Sequence, residues 1–302
     1  MTLAGDRAGT RGRRLLRWAI GGAVAGLTAL LAAGYLGAAH PAGDSFAVGR
    51  AQGAAGLALL AGLCWAVGLR GLAGVALVVA LGTGGPVLWA YRVAGQAGGY
   101  TLYQKNMLWR NDDLAGLEAD IRMVGPDVLT LEEVSGPNRG ILLRLADILP
   151  GQVFCPFASV GGVAVATRWP VVAGSLTCAP GLAALQAEGP EGRVWLVALH
   201  LHWPWPYGQA AHLEALLPVL QRLDGPVLLA GDFNAVPWSA AVGRVAAAVR
   251  GQLAGPVRGT FPQFGPLLVL PIDHVIGPVG GRVELRPLKG SDHRGLVARL
   301  GL

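Results

Sequence analysis

Acidic, amide and imidazole side chains recur at the ends of short apolar runs in the C-terminal two thirds of the chain. They follow or interrupt the runs around residues 128–131, 194–199, 227–230, 272–276 and 295–300, as Glu132, Glu133, His200, His202, Asp232, Asn234, Asp273, His274, Asp292 and His293. Placing such groups beside apolar strands costs desolvation free energy unless a metal, a ligand or hydrogen bonds compensate. Their repetition therefore indicates one shared cleft for acid–base or metal chemistry.

The elements that must position these residues are short strands and amphipathic helices separated by Gly and Pro. We predict strands at 101–109, 128–131, 162–167, 171–177, 193–202, 227–230, 272–276 and 295–300. We predict helices at 112–123, with Asn111 as the N-cap, at 137–149 and at 209–223. This mixture indicates two stacked sheets with helices outside them.

From Leu102 to Leu300 the chain resembles the endonuclease/exonuclease/phosphatase superfamily, which includes deoxyribonucleases, abasic-site endonucleases, neutral sphingomyelinases and inositol-polyphosphate phosphatases. The resemblance rests on blocks in the family's order: Asn106, Pro126-Asp127-Val128-Leu129-Thr130-Leu131-Glu132-Glu133-Val134, Ala198-Leu199-His200-Leu201, Gly231-Asp232-Phe233-Asn234, Ile272-Asp273-His274-Val275 and Ser291-Asp292-His293-Arg294. It implies a four-layer α/β/β/α sandwich of two mixed sheets over residues 100–302. It also implies a hydrolase acting on ester bonds.

The resemblance implies a divalent-cation site formed by Glu133, Asn106 and Asp292. Oxygen ligands of this kind suit Mg²⁺ or Mn²⁺. The family commonly has Gln before its metal-binding Glu, where this chain has Glu132. Alignment on the following Val134 favours Glu133 as the ligand.

The resemblance implies catalytic roles for five further residues. His293 would take a proton from the attacking water, while Asp273 accepts the other imidazole N–H and fixes its orientation. Asp232 and Asn234 would position the water and bind a phosphoryl oxygen. His200 would donate a hydrogen bond to the phosphate.

Other polar residues fit structural roles better. A single His at one position is more often a satisfied structural residue than a catalyst, and we expect this for His212 and His274. Arg168, which follows the strand at 162–167, is a candidate for substrate binding, together with Arg139 and Arg144 as a local basic cluster.

The segment Trp203-Pro204-Trp205-Pro206-Tyr207 has two interpretations. In one, the prolines stiffen a loop whose rings pack on the domain. In the other, Trp203 and Trp205 bind substrate, stack on a base or enter the membrane interface, where Trp and Tyr are favoured.

Charge is distributed unevenly along the chain. Eight arginines and two acidic residues precede Tyr100, and the remainder holds sixteen basic and sixteen acidic residues. The net charge of +6 thus belongs to the N-terminal part. Basicity, which would otherwise indicate a nucleic-acid substrate, gives no such indication here.

Three uncharged apolar runs, at about 18–39, 51–69 and 71–91, precede the catalytic part. A helix needs about 20 apolar residues to span a membrane, and each run has this length. We predict a basic cytoplasmic segment at 1–14 and a three-helix transmembrane region at 15–93. The alternative is a cleaved signal peptide followed by a buried helical pair.

Five arginines at the N-terminus predict the orientation, because such clusters stay cytoplasmic. They are Arg7, Arg11, Arg13, Arg14 and Arg17. Three crossings place the catalytic domain on the opposite face, which in a bacterial inner membrane is periplasmic. Cys155 and Cys178 could bridge in an oxidising compartment, although the sequence does not establish their separation.

The sequence therefore predicts a membrane-anchored, divalent-metal-dependent phosphoesterase. It would hydrolyse a phosphodiester or phosphomonoester by in-line attack of a His-activated water. The substrate is left open between lipid, nucleotide and nucleic acid, and no specific protein partner is indicated. The alternatives are a nuclease outside the cytoplasm, a catalytically inactive membrane scaffold, and a channel subunit, which the absence of strongly polar intramembrane residues disfavours.

Overall fold

The computed structural model of the chain describes residues 3–263, 265 and 268–302, with side chains from residue 11 onward. The chain divides into two compact units, Met1–Trp89 and Ala90–Leu302. Residues 1 and 2 of the predicted basic segment, and the side chain of Arg7, lie outside the described residues.

The N-terminal unit is a group of helices that pack through small residues. The helices are α1 (Leu3–Ala33), α2 (Ala42–Ala47), α3 (Arg50–Ala66) and α4 (Arg70–Ala90). Gly53 and Gly56 of α3 approach Leu31 and Leu27 of α1, so these two helices run antiparallel. A glycine at such a contact lets helices approach closely.

Helix α4 reverses direction again. Leu72, near its start, approaches Gly21 in the first half of the apolar part of α1. Gly84, near its end, approaches Ala54 at the start of α3. Arg13 lines a pocket with Ala66, the last residue of α3, so the beginning of α1 and the end of α3 lie at one end of the unit. The chain leaves α4 at the opposite end.

Two described helices are long and apolar enough to cross a membrane, at Arg11–Ala33 and Arg70–Ala90. The prediction of three such helices is corrected, because the helix expected over 51–69 is α3, which has only 17 residues. At 1.5 Å per residue, α3 rises about 25 Å, less than the roughly 30 Å hydrocarbon core. Gly68, with a left-handed φ of +79°, follows directly after it.

The C-terminal unit alternates strands with helices. Its strands are β1 (Tyr100–Asn106), β2 (Val128–Val134), β3 (Gly151–Ala158), β4 (Gly161–Thr167), β5 (Thr177–Ala179), β6 (Leu182–Gly189), β7 (Gly192–His200), β8 (Val227–Asp232), β9 (Gln252–Leu253), β10 (Asp273–Gly277), β11 (Gly281–Leu285) and β12 (Leu296–Leu300). Its helices are α5 (Leu114–Val124), α6 (Gly140–Arg144), α7 (Gln209–Gln221) and α8 (Ala240–Ala248).

The strands form two six-stranded sheets, ordered β11-β12-β1-β2-β4-β3 and β5-β6-β7-β8-β10-β9. Each sheet is mixed, because β1 pairs parallel with β2 and β7 pairs parallel with β8, whereas the other pairings are antiparallel. The predicted α/β fold with two mixed sheets is confirmed.

Apolar side chains form three layers of core. One cluster, including Leu102, Val165 and Leu196, fills the space between the sheets. Helices α5 and α6 cover the outer face of the first sheet, and α7 and α8 cover that of the second. The result is a four-layer arrangement of helix, sheet, sheet and helix.

Several predicted elements differ in detail. Asp113, not Asn111, caps α5 by accepting a hydrogen bond from the Gly116 N–H at 3.0 Å. The helix predicted at 137–149 is regular only over Gly140–Arg144. The strand predicted at 171–177 is mostly a turn, in which Gly174 adopts a φ of +77° that interrupts extended backbone.

A disulfide joins Cys155 in β3 to Cys178 in β5, with their Cα atoms 5.5 Å apart. Each strand lies at the edge of its own sheet. The bond therefore links the two sheets covalently at one margin of the sandwich, and it settles the pairing that the sequence left open.

Candidate active site

The predicted site residues meet at one end of the two sheets. Because β1 and β2 are parallel, Asn106 and Glu133 lie near the carboxyl ends of their strands, at the same end of the first sheet. In the second sheet, His200 at the end of β7 pairs with Asp232 at the end of β8. Strand β10 runs the other way, so its first residue, Asp273, also pairs with Asp232.

His293 and Asp273 form a buried hydrogen-bonded pair. Nδ1 of His293 lies 2.8 Å from Oδ2 of Asp273. Gln104 donates from Nε2 to Oδ1 of Asp273 at 2.8 Å, and the Asp273 backbone N–H donates to Oγ1 of Thr260 at 3.2 Å. Because Nδ1 is engaged by the carboxylate, His293 is oriented with Nε2 available for proton transfer.

The surrounding charges set the protonation of this pair. Burial alone would lower the pKa of His293, but the carboxylates of Asp273 and Asp232 outweigh it and raise the pKa. Burial alone would raise the pKa of Asp273, but His293 outweighs it and holds the pKa below its usual range. Burial raises the pKa of Asp232, and His293 offsets this only in part. Asp232 therefore lacks a full counter-charge.

Asp232 is the centre of the polar cluster. Its Oδ2 accepts a hydrogen bond from Nδ2 of Asn106 at 3.0 Å, and lies 3.6 Å from Nε2 of His200 and 3.7 Å from Nε2 of His293. The preceding Gly231 is required by packing, because a Cβ there would collide with the carbonyl oxygen of the adjacent strand β7. The glycine lets β7 and β8 bring their terminal side chains together.

Asn234 turns back towards the same carboxylate. Its backbone N–H donates to Oδ1 of Asp232 at 2.8 Å, and its side-chain Nδ2 donates to the carbonyl of Leu201 at 2.8 Å. Its φ of +48° lies in the left-handed region, which Asn tolerates better than most residues. The side-chain oxygen is buried without a hydrogen-bond partner among the described residues, and Asn234 lines the cavity.

His200 is a neutral imidazole. Burial, followed by the neighbouring His293, lowers the pKa of His200 to about 3. Its Nδ1 has no hydrogen-bond partner within the described part of the chain. A neutral imidazole N–H can donate to a phosphoryl oxygen without transferring its proton.

A β-bulge separates the two adjacent glutamates. The register of β2 against β4 shifts between Glu132 and Val134, and Glu133 adopts a φ of +55°. Such a bulge re-aims a side chain next to an active site. Glu133 accordingly lines the cavity, where its oxygens accept from Nδ2 of Asn106 at 3.2 Å and from the Trp109 N–H at 2.9 Å.

Glu132 lies beneath the site instead. It is fully buried, and its Oε2 accepts from Nε2 of Gln104 at 2.7 Å. Burial, followed by Asp273, raises the pKa of Glu132 well above its usual range. Gln104, which was not predicted, links Glu132 to Asp273. The sequence feature that could have indicated Gln104 is its spacing of two residues from Asn106, because residues at this spacing in a strand lie on the same face.

Lys105 is a second residue that the motifs did not indicate. It is completely buried in β1, and its Nζ donates to the carbonyls of Leu288, at 2.6 Å, and His293. Burial lowers the pKa of Lys105 to about 8. Lys105 thereby fastens the segment that carries Asp292 and His293 to β1.

Ser291, the first residue of the Ser-Asp-His block, anchors this segment through its hydroxyl. Its Oγ donates to the carbonyl of Asn106 at 2.7 Å and accepts from the His293 N–H at 3.0 Å. Asn111 donates to the Lys289 carbonyl at 2.9 Å. The segment is thus held to the end of β1 at several points.

The cluster opens into a cavity of about 340 Å³. Its lining combines the polar site with apolar and aromatic side chains: Glu133, Phe157, Ala158, Val160, His200, Leu201, His202, Trp203, Asp232, Asn234, Phe261, Asp292 and His293. Seven of the eleven predicted site residues are in this lining, and Asn106 and Asp273 contact members of it.

Two predicted substrate-binding residues are not among the residues that line the cavity. Arg168 donates to the carbonyls of Gly125 and Pro126 and pairs with Asp127 at 3.4 Å. Trp205 is about half exposed. Trp203, by contrast, lines the cavity and packs on Phe261.

Two other histidines make the structural contacts expected of them. Nε2 of His212 lies 2.8 Å from the Pro180 carbonyl, and Nε2 of His274 lies 2.7 Å from the Ala235 carbonyl. His274 thus holds the loop after Asp232 and Asn234.

The donor set fits a hard divalent cation. Glu133, Asp232 and Asp292 are carboxylates in one cavity without a lysine or arginine among its described lining residues, and one oxygen of Asp292 is buried without a partner in the described chain. Burial raises the pKa of Glu133 and of Asp232, so a bound cation would stabilise the charged form of both carboxylates. Oxygen donors of this type suit Mg²⁺ or Mn²⁺.

Asp232, Asp273 and His293 are the tightest group of potential ligands, with atoms within 4.8 Å of one another. The hydrogen bond between His293 and Asp273 already engages both of these side chains, so the Glu133 and Asp292 side of the cavity is the better location. Asn106 presents its amide nitrogen there, and its oxygen accepts from the Leu108 N–H at 3.0 Å. Ligation through that oxygen requires the amide to turn over.

The fold and the site together define a phosphoester hydrolase. The chain belongs to the Endonuclease/Exonuclease/phosphatase family, whose model matches residues 96–293. Enzymes of this family hydrolyse phosphoester bonds and depend on divalent metal ions, and this chain is accordingly a hydrolase of that class.

Several solved structures resemble the chain at low sequence identity, and the first two below share its fold. Truncated Caenorhabditis elegans TDP2 is 17% identical, covering 66% of this chain and 96% of that chain with a TM-score of 0.53. An endonuclease/exonuclease/phosphatase family protein from Leptotrichia buccalis is 13% identical, covering 68% and 100%, with a TM-score of 0.51. A beta toxin mutant from Staphylococcus aureus with bound magnesium ions is 12% identical, covering 67% and 99%, with a TM-score of 0.49. No curated protein matches the chain.

Proposed function

We propose that the protein is a membrane-anchored, divalent-metal-dependent phosphoesterase that uses a His-activated water. The observation that carries this proposal is the buried pair of His293 and Asp273, held at 2.8 Å beside a cavity with three further carboxylates. A fixed imidazole next to a cation-binding set of oxygens is the arrangement that phosphoester hydrolysis requires.

The protein's own residues prepare the water and hold the phosphate. In its neutral form His293 removes a proton from the water through Nε2, and Asp273 stabilises the imidazolium that results. A cation bound beside Asp232 would offset the carboxylate charge that raises the pKa of His293 and would so favour this neutral form. The water oxygen bonds to phosphorus as the opposite ester P–O bond breaks, and the departing alkoxide takes a proton from solvent. Asp232 and Asn234 orient the water, and the neutral His200 donates to a phosphoryl oxygen.

Glu133 and Asp292 would hold the cation, with Asn106 joining them if its amide turns over. When bound, the ion supplies Lewis-acid stabilisation of the charge that develops on the phosphoryl oxygens. Glu133 is well placed for this role because the bulge directs it into the cavity, and the Trp109 N–H at 2.9 Å fixes one of its oxygens.

We place the catalytic domain on the extracytoplasmic side of a cell membrane, the periplasmic side of the inner membrane in a bacterium. Three observations support this location. Arg11, Arg13, Arg14 and Arg17 lie at one end of α1. The shorter helix α3 returns the chain to that end, so α4 runs in the same direction as α1 and ends at the opposite end of the helical unit. The domain also contains a disulfide. Disulfides persist in oxidising compartments.

The decisive test is metal-dependent cleavage of bis(p-nitrophenyl) phosphate by the full-length protein in detergent. We expect His293→Ala and Asp232→Ala each to lower the rate by at least about 10³-fold, since each removes a group acting in proton transfer or water positioning. The matched control is Arg193→Ala, at the exposed far end of the strand that carries His200. Full activity in both site variants would contradict the proposal, and a wild type without any activity would favour an inactive scaffold.

A further inference from the structure

The cavity has a second, apolar face that the hydrolytic chemistry does not use. Phe157, Val160, Trp203 and Phe261 line it alongside the polar residues. Phosphate itself needs none of these side chains. They are therefore available to contact the group that is esterified to the phosphate.

Aromatic rings begin directly beside both histidines of the site. The ring of Phe261 lies 4.7 Å from that of His293 and 5.9 Å from that of Trp203. On the other side, Phe157 lies 5.7 Å from His200 and 5.1 Å from His202. A group attached to a phosphate held by His200 and His293 would therefore meet an aromatic surface at once.

The charge of the cavity limits the substrate in a second way. None of the described residues that line it is a lysine or an arginine. The basic cluster predicted from the sequence is engaged elsewhere: Arg139 stacks over Phe154, Arg144 pairs with Glu118 at 2.7 Å, and Arg168 pairs with Asp127. Nucleic acids and polyphosphates are bound chiefly through Lys and Arg contacts to several phosphates.

We infer that the substrate is a phosphodiester with a single phosphate, one of whose alcohols is a compact, uncharged, apolar or aromatic group that packs on Phe157, Trp203 and Phe261. This inference rests on the proposed function and specifies its substrate class. A volume of about 340 Å³ accommodates the phosphate and one such group. The group can belong to a soluble diester or to a membrane phospholipid, which share this chemistry.

The test compares matched diesters with the full-length protein in detergent and Mg²⁺. Phenyl p-nitrophenyl phosphate and methyl p-nitrophenyl phosphate carry the same charge and differ in one alcohol. We expect kcat/KM for the phenyl ester to exceed that for the methyl ester by roughly 10- to 100-fold, as burial of an aromatic ring predicts. A single-stranded oligonucleotide should be cleaved more slowly than either ester.

Variants assign the preference to the aromatic face. Trp203→Ala and Phe157→Ala should lower the phenyl-to-methyl ratio towards one, whereas Trp203→Phe should preserve most of it. Tyr207→Ala is the matched control, because Tyr207 is an exposed ring of the same loop that does not line the cavity. It should leave the ratio unchanged, so an effect of loop packing alone would appear in this control.

Equal rates for the two esters in the wild type, or fastest cleavage of the oligonucleotide, would overturn the inference and leave the proposed hydrolase intact. Absence of metal-dependent cleavage of every diester would overturn the proposed function itself. Phosphatidylethanol vesicles, whose lipid carries ethanol as a compact uncharged alcohol, identify the source: their cleavage supports the inference with a membrane lipid as substrate. Cleavage of the aryl esters without the vesicles supports it with a soluble diester.

Discussion

At the scale of single residues, Glu132 and Glu133 have identical side chains in opposite surroundings. Glu133 faces the cavity and accepts hydrogen bonds from Asn106 and Trp109. Glu132 is enclosed below it with Gln104. The bulge at Glu133 causes the difference. In a regular strand Glu133 would follow Leu129 and Leu131 towards the helix layer, whereas its φ of +55° directs it into the cavity.

We therefore expect Glu133→Gln and Glu132→Gln to differ sharply in Mg²⁺ affinity. Removing the charge of Glu133 should weaken Mg²⁺ binding by at least about 100-fold, since even changes to groups around a metal ligand cost about 10- to 100-fold. Glu132→Gln should change it by less than about tenfold, because an amide can occupy this buried position beside Gln104. Calorimetric titration with Mg²⁺ measures both. Equal losses in the two variants would contradict the assignment.

Most of the site residues could be predicted from the sequence, because each stands where an apolar run ends and a polar residue interrupts it. Gln104 and Lys105 could not be predicted in this way. Their partners are remote in sequence: the stacking of the two sheets brings Asp273 of β10 to Gln104, and the pairing of β1 with β12 brings the carbonyl of His293 to Lys105. Arg168 is the opposite case, a residue that the sequence indicated for substrate binding and that does not line the cavity. Its guanidinium donates to the carbonyls of Gly125 and Pro126 and pairs with Asp127.

At the scale of elements, β1 organises the site from beneath. It lies between β12 and β2, and its last three residues each reach a different part of the centre. Gln104 contacts Asp273, Lys105 holds the segment before β12, and Asn106 contacts Asp232. One strand thus aligns residues from three other elements.

Replacing Lys105 by Met should loosen the segment that carries Asp292 and His293. The variant leaves the carbonyls of Leu288 and His293 without their donor, which costs about 1–3 kcal/mol at the buried carbonyl of His293. We expect the rate to fall about 10- to 100-fold, because small displacements of catalytic groups have effects of this size.

Hydrogen exchange measures the cause directly. In Lys105→Met, amides at 288–293 should exchange faster than in the wild type, while those of β7 stay unchanged. Lys289→Met, a change in the same segment, should leave the exchange and the rate near those of the wild type. Unchanged exchange in Lys105→Met would contradict a positioning role for the buried lysine.

The strands of the sheets were predictable only in part. Strand β6, Leu182–Gly189, reads Leu-Ala-Ala-Leu-Gln-Ala-Glu-Gly, a composition that favours helix in isolation. It forms a strand because it pairs with β7 along its full length and buries its apolar residues in the second sheet. Tertiary packing overrides local propensity here.

At the scale of the whole molecule, counting apolar residues identified the helical unit but not the extent of each helix. The run at 51–69 is long enough on composition, yet α3 ends at Ala66, where the chain turns through Gly68 into α4. Composition reports how apolar a segment is, whereas its length as a helix depends on where turns begin.

The disulfide tests the location of the catalytic domain. If the domain is extracytoplasmic, polyethylene glycol–maleimide added to acid-quenched, denatured cells should modify only Cys64, the free cysteine of the chain. Prior reduction should expose Cys155 and Cys178 as well. The Cys155→Ser variant should show two modifiable thiols without reduction. Three modifiable thiols in the unreduced wild type would place the domain in a reducing compartment.

The position of β12 between β11 and β1 has a consequence for how an active molecule arises. Until residues 296–300 have been synthesised, β1 lacks one of its two neighbours. Asn106, near the beginning of the domain, and His293, near its end, therefore come together only when nearly the whole domain has emerged from the ribosome. We expect chains that stop before residue 293 to be inert, so that hydrolytic capacity appears only once the last strand of the domain has been made.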